Sequence, residues 1–255
     1  MPSGFFPGVL YLLRTKWSIF ITGVFTTLVI STLGTFFGFF LGLILATFRL
    51  IPKGKTERKR NQMVGRVLDT IAKIYIQIFR GTPMIVQATV IYYGVLAYFG
   101  YWSAFAAGIV VVSLNTAAYM AEIIRGGVNA VDKGQHEAGL SIGMSYFQVM
   151  RHIVFPQAIK HAIPAIGNEL VVNIKDTAVL SVIAVTDLFY SSKFIITNNF
   201  RPFEVYFIIS VIYLMLTLTS SFLLRKLEKK MGVQSRVEIP TSQTVPEVTE
   251  VIPRD

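Results

Sequence analysis

The chain has 255 residues, of which 53% are hydrophobic and 15% charged, against roughly 45–50% and 25% in soluble domains. Its 24 lysines and arginines outnumber 14 acidic residues, for a formal charge of +10. Apolar and basic together, the composition fits an integral membrane protein better than a nucleic-acid binder, provided the apolar residues fall in spanning runs. Without cysteine, disulfides and thiolate metal sites are excluded. Three scattered histidines, His136, His152 and His161, make no convincing metal site.

The spanning runs are present. Residues 1–16 read as a short extracytoplasmic segment, and from Trp17 to Phe48 no residue is charged. That stretch exceeds the roughly 20 residues a crossing needs but falls short of two crossings and a turn, so it predicts one long or tilted helix. It is too long for a cleavable signal peptide. Further spans are predicted at about 82–101, 103–120, 165–185 and 205–224, with a tight turn near Gly100–Trp102. The fourth is interrupted by Glu169, Lys175 and Asp176. Five helices make an all-α, polytopic membrane domain over residues 17–230. The tail at 231–255, polar and proline-bearing, reads as disordered.

Charge orients the chain. With five spans, the segment from Arg49 to Lys73, the one between the third and fourth spans, and the C-terminal end share one face carrying eighteen cations. The opposite face carries four, Arg14, Lys16, Lys193 and Arg201. Cationic loops stay cytoplasmic, which puts the N-terminus outside and the C-terminus in the cytoplasm.

Gly34, Gly38 and Gly42 share one face of the first helix. Such a small-residue stripe lets another helix approach closely, either a span of the same chain or one of a second subunit, unless it is ordinary glycine enrichment. Gly54-Lys55-Thr56 resembles the end of a phosphate-binding loop, but Arg49 stands where the pattern needs its first glycine.

The cytoplasmic segment at 122–164 is too polar to span. Asp132 is placed to cap a helix running to Leu140, Gly143 to bend the chain, and Pro156 and Pro164 to limit continuation. Phe147, Val149, Ile153, Val154 and Phe155 then offer apolar surface, for docking a partner or for lying on lipid.

Here the sequence resembles a known family. Glu137-Ala138-Gly139, Gly143 and Ile153-Val154-Phe155-Pro156 keep the spacing of the EAA signature of ABC-importer permeases, with Gly139 for the usual Ala and Phe155 for the usual Leu. Three flanking runs, Phe79 to Gln87, Ala117 to Gly127 and Ile174 to Thr177, resemble the polar-amino-acid branch. The resemblance implies a five-helix type I importer permease of the bacterial cytoplasmic membrane, carrying a polar amino acid. It implies an ABC ATPase dimer, a second permease subunit, identical or paralogous, and an extracytoplasmic amino-acid-binding protein as partners. ATP would be used by the ATPase and no cofactor held by this chain. It also implies that Glu137, Ala138, Gly139, Gly143, Ile153 and Pro156 belong to a coupling helix seated in the ATPase, where the small residues allow close approach.

Charges within a bilayer cost roughly 2.5–3.5 kcal/mol each when unpaired, so those of the fourth span should face a wet or protein interior. Glu169 and Asp176 lie two turns apart on one face, with Asn168 and Lys175 as an adjacent stripe and Thr177 beyond. They read either as a solute pathway, in which the carboxylates meet an ammonium group, or as a structural ion pair, with Arg80 a candidate partner. Arg80, Gly81, Thr82 and Pro83, placed at the cytoplasmic entry of the second span, read as a tightly packed corner, with a gating or solute-contact role as the alternative. Glu122 and Arg125 are expected to form an ion pair with the coupling segment. An integral membrane enzyme using Glu169 and Asp176, or an ion-coupled transporter or channel, would be the competing functions.

Overall fold

A computed structural model describes residues 4–51 and 59–232. All regular elements among them are helical. The glycine-lysine-threonine run at 54–56 and the tail from residue 233 lie outside the described residues.

The first helix, α1 (Phe5–Leu50), runs for 46 residues, about 69 Å at 1.5 Å per residue and more than twice a hydrocarbon core. The boundary expected at residue 16 is absent, because Pro7 sits in the first turn and nothing breaks the helix afterwards. Leu12 and Phe20 are buried against Leu188, Ile195, Val205 and Ile208, so tertiary packing holds those early turns. Gly34, Gly38 and Gly42 face a helix of the same chain, α4 (Ala104–Asn129). A methyl at Gly38 would sit 2.7 Å from Thr116 Cβ, and one at Gly42 would sit 2.5 Å from Met120 Cβ. The stripe therefore sets the distance between α1 and α4.

The charged stretch after α1 is not a loop throughout. It contains α2 (Lys59–Gly81), which turns through 110° into α3 (Met84–Phe99). Ala72 and Ile76 are buried while Val67, Ile71, Ile74 and Ile78 are exposed, so α2 carries apolar residues on two sides and hydropathy alone undercounts it. With 16 residues, α3 is about 24 Å long and too short to cross alone.

Two further boundaries move. The third span was expected to stop at Met120, but α4 continues to Asn129 because Glu122 is tied to Arg49 and Gly127 lies against Ala158 and Ala162. The proline stops fail as well. A short α6 (Tyr146–Val149) passes through a π-helical turn, Met150–Val154, into α7 (Phe155–Asp176). Phe155 N–H donates to Met150 O across that wider turn. Pro156 then falls in the first turn of α7, where no N–H is required, and Pro164 is tolerated inside the helix. The chain tightens into a 3-10 helix, Thr177–Ile183, and bends by 54° into α8 (Leu188–Asn199), before α9 (Pro202–Lys230) returns. By length and composition α1, α4 and α9 can cross a membrane, and the α2/α3 and α7/α8 pairs can each do so as bent units.

Candidate functional site

The coupling segment is a small folded unit. Asp132 caps α5 (Lys133–Ser141) by accepting from Gly134 N at 2.6 Å, and Ser145 starts α6 with a capping box to Gln148. Between them Gly143 adopts φ +84°, which a side chain resists, and Met144 N–H closes back on Gly139 O at 3.1 Å. Gly139 is buried against Val149 and Ile153, where a methyl would come within 2.7 Å of Val149 Cγ2. Its smallness therefore serves the packing of this unit, not contact with a partner. Val149 and Val154, expected at the surface, form the unit's core with Val131 and Ala158. Glu137, Ala138 and Pro156 are exposed, and so is an apolar edge of Leu140, Ile142 and Phe147. Tyr146 donates its hydroxyl to Leu50 O at 3.2 Å, tying the unit to the end of α1, and burial pushes its phenol above the usual range.

An ion-pair network sits where α1, α2 and α4 meet. Glu122 accepts from Arg125 at 2.7 Å and also pairs with Arg49, which lies 3.9 Å from Asp69. Asp69 in turn pairs with Lys73 at 2.8 Å. The expected Glu122–Arg125 pair is present, but its further partner is the end of α1 and not the coupling segment. Side chains from distant parts of the chain meet here, which spacing within one helix could not reveal.

The expected polar stripe of α7 divides. Glu169 is 9% exposed, Asp176 is half-buried, and Asn168 and Lys175 are exposed. Thr177 is buried and donates its hydroxyl to Ile174 O at 3.0 Å. Between the two carboxylates lies Asn173, which the sequence reading missed. Its amide donates to Thr35 of α1 at 2.8 Å and to Thr116 of α4 at 2.9 Å. Three helices are thus hydrogen-bonded together beside the middle of α4. The available signal was Asn173 on the charged side of its helix, three and four residues from Asp176 and Glu169.

The Arg80–Pro83 corner is tied to the same part of α4. Gln87, also missed, donates its side-chain amide to Phe79 O at 2.8 Å and to Thr82 O and the Thr82 hydroxyl at 2.9 Å. Its carbonyl accepts from Asn115, near the middle of α4, at 2.9 Å. The corner is held by this one glutamine, not by close packing. Arg80, Gly81, Thr82 and Pro83 are all exposed, and a methyl on Gly81 would meet nothing within 4 Å. Nor does Arg80 make the ion pair with Glu169 that was one reading. Its guanidinium lies over the Tyr119 ring, 5.5 Å from the centroid. Asp187, likewise missed, is fully buried and caps α8, accepting from Tyr190 N at 2.8 Å and from the Tyr213 hydroxyl at 3.4 Å. No three His, Asp or Glu side chains converge as a metal site among the described residues.

A helical bundle whose members are joined by buried amides, with a capped helical unit tied to the end of α1, is the architecture of a polytopic membrane protein. Residues 38–233 match the family described as binding-protein-dependent transport system inner membrane component, and the chain belongs to that family. It is accordingly a multi-pass permease subunit of the inner membrane and not an enzyme. The glutamine transport system permease protein GlnP of Escherichia coli (strain K12) is 35% identical over 217 residues, covering 84% of this chain and 94% of that protein. The nopaline transport system permease protein NocM of Agrobacterium fabrum is 36% identical over 235 residues, covering 88% and 92%. A crystal structure of an amino acid ABC transporter with histidines superposes with a TM-score of 0.77 at 37% identity, covering 90% of this chain and all of that one.

Proposed function

We propose that this permease carries a polar amino acid into the cell, driven by ATP hydrolysis in a partner ATPase dimer. A second permease subunit, identical or paralogous, completes the passage, and an extracytoplasmic binding protein delivers the solute. The membrane is crossed five times, with the α2/α3 and α7/α8 pairs as bent spans, the N-terminus outside and the C-terminus in the cytoplasm. ATP is held by the ATPase, and this chain binds no cofactor.

The observation that carries this reading is the exposed edge of the coupling unit. Glu137 and Ala138 stand beside Leu140, Ile142 and Phe147, and the last two are 78% and 69% exposed. Apolar groups of that size presented next to a carboxylate suit a protein partner. The unit is anchored to α1 through Tyr146 and runs into α7 through the π turn, so a push on α5 reaches the bundle as a rigid displacement. The solute passage follows Asn168, Glu169, Lys175, Asp176 and Thr177, with the two carboxylates toward the ammonium group. Co-purified subunits in liposomes should show receptor-dependent, ATP-driven amino-acid uptake, with raised apparent KM in Glu169→Gln and Asp176→Asn. Normal apparent affinity in both variants refutes the pathway assignment. Uptake that needs an ion gradient instead of ATP refutes the importer reading.

A further inference from the structure

We propose that the C-terminal end of α9 is a binding site for an anionic phospholipid, whose headgroup phosphate is held by Arg225 and Lys229 while an acyl chain lies on Leu218 and Phe222. The proposal goes beyond the importer reading and does not depend on it, since it needs only that α9 crosses the membrane. With 29 residues, α9 is about 43 Å long against a hydrocarbon core of about 30 Å. Val205 to Leu224 carries no charge and fills that core, so the helix delivers Arg225 to Lys230 into the headgroup layer.

Arg225, Lys226, Lys229 and Lys230 are all exposed and have no ion-pair partner among the described residues. Glu228, the acidic residue of this stretch, is turned to the protein side and is 6% exposed. The outward surface of the last two turns is therefore cationic, with no acid on it to offset the charge.

The face that carries these charges decides what they meet. Leu218, Phe222, Arg225 and Lys229 follow one another at i, i+4, i+7 and i+11 and form one stripe, with Met215, Lys226 and Lys230 beside it. Leu218 and Phe222 are 56% and 62% exposed. The other side of the helix is occupied, for Leu224 lies where Gly167 of α7 leaves room and Glu228 is buried. A charge bias that only oriented the chain would place cations near this end but on no particular face. Here they continue the apolar stripe that looks away from the bundle. Leu227 and Met231, exposed among the cations, hold this end at the level where hydrocarbon gives way to headgroups. A phospholipid offers the same two parts in the same order, acyl chain and then phosphate. Arg225 supplies a planar fork for two phosphate oxygens and the lysines supply point charges, which favours a net-negative headgroup over a zwitterionic one.

The test titrates phosphatidylglycerol, and phosphatidylcholine with the same acyl chains, onto the delipidated full-length chain purified with the subunits that accompany it. The fraction carrying bound lipid is read by native mass spectrometry. Wild type should prefer phosphatidylglycerol by about 10-fold or more, since each cation near a headgroup contributes about five-fold. Arg225→Gln with Lys229→Gln should weaken phosphatidylglycerol binding roughly 25-fold and leave phosphatidylcholine nearly unchanged. Leu218→Ala with Phe222→Ala should weaken both lipids alike, and no loss there overturns the placement. The matched charge change Lys133→Gln with Arg151→Gln, on the coupling unit, should alter neither lipid. Equal wild-type affinity for the two lipids overturns the proposal, as does an equal loss from the coupling-unit pair, which would make the effect one of overall charge. Displacement of the lipid by an equal concentration of glycerophosphoglycerol, the headgroup without its chains, shows a bare phosphate site and refutes the lipid. Loss of the accompanying subunits in Arg225→Gln with Lys229→Gln, at an unchanged lipid ratio, assigns the cations to a protein contact and also refutes it. Should that variant fail to assemble, wild type is titrated with salt: its preference for phosphatidylglycerol should fall steeply between about 50 and 500 mM, and a flat response overturns the proposal.

Discussion

Replacing Asn173 with leucine removes the one side chain that, among the described residues, hydrogen-bonds α7 to both α1 and α4, with little change in volume. Three contacts are lost, the amide's donations to Thr35 at 2.8 Å and to Thr116 at 2.9 Å and the longer one its oxygen accepts from the Thr116 hydroxyl at 3.3 Å. Interhelical hydrogen bonds in membranes contribute about 0.6 kcal/mol on average and up to about 1.7 kcal/mol. The loss should therefore lie at about 1–3 kcal/mol. Thr35 keeps its bond to Ser31 O at 2.7 Å, so its hydroxyl proton stays satisfied and the lower half of that range is expected. Thr116 is fully buried, and both of its side-chain hydrogen bonds are with Asn173. The assay is reversible unfolding of the purified chain in mixed micelles, with the denaturant titrated and helicity followed by circular dichroism. A Thr116→Val variant and the double mutant complete a cycle. The double mutant should be more stable than the sum of the single losses predicts, because both singles break the same bond. Strict additivity, or a single-mutant effect below about 0.3 kcal/mol, would refute the claim that Asn173 joins these helices.

Two further outcomes are expected. Gly143 holds φ +84° in open space, so Gly143→Ala meets no clash and costs only the left-handed conformation, about 1–2 kcal/mol. ATP-driven uptake should fall while ATPase association and total helicity persist, and full uptake in this variant would show that the bend is dispensable. Tyr146 must stay protonated to donate to Leu50 O, and burial raises its phenol above the unfolded value near about 10. The native state then holds that proton more tightly than the unfolded chain. Its stabilisation is present below the unfolded pKa and is lost as pH rises from there through the folded one. Tyr146→Phe should accordingly show a shallower alkaline loss of stability than wild type in a thermal melt scanned over pH, and identical slopes would exclude the effect.

Some features could be read along the chain because each is decided by neighbours within a few residues. The uncharged run from Trp17 to Phe48 must avoid water, Asp132 stands where a helix needs an acceptor for its free amides, and Gly143 is the residue a left-handed turn requires. The EAA spacing pointed to the same family as the match over residues 38–233 for the same kind of reason, since the coupling unit is a local fold.

Tertiary structure decided what depends on partners far away in sequence. Leu12 and Phe20 extend α1 to Phe5 because α8 and α9 bury them, and Glu122 prolongs α4 because Arg49 reaches it from the end of α1. Pro164 fails to stop α7 since packing outweighs one missing hydrogen bond. The same dependence hid Asn115 and Asn173, whose partners Gln87, Thr35 and Thr116 stand on other helices and are brought opposite them only by the fold. Hydropathy measures what a segment leaves behind in water, whereas the seat of Arg80 over Tyr119 and the partners of Asn173 depend on where the helices cross.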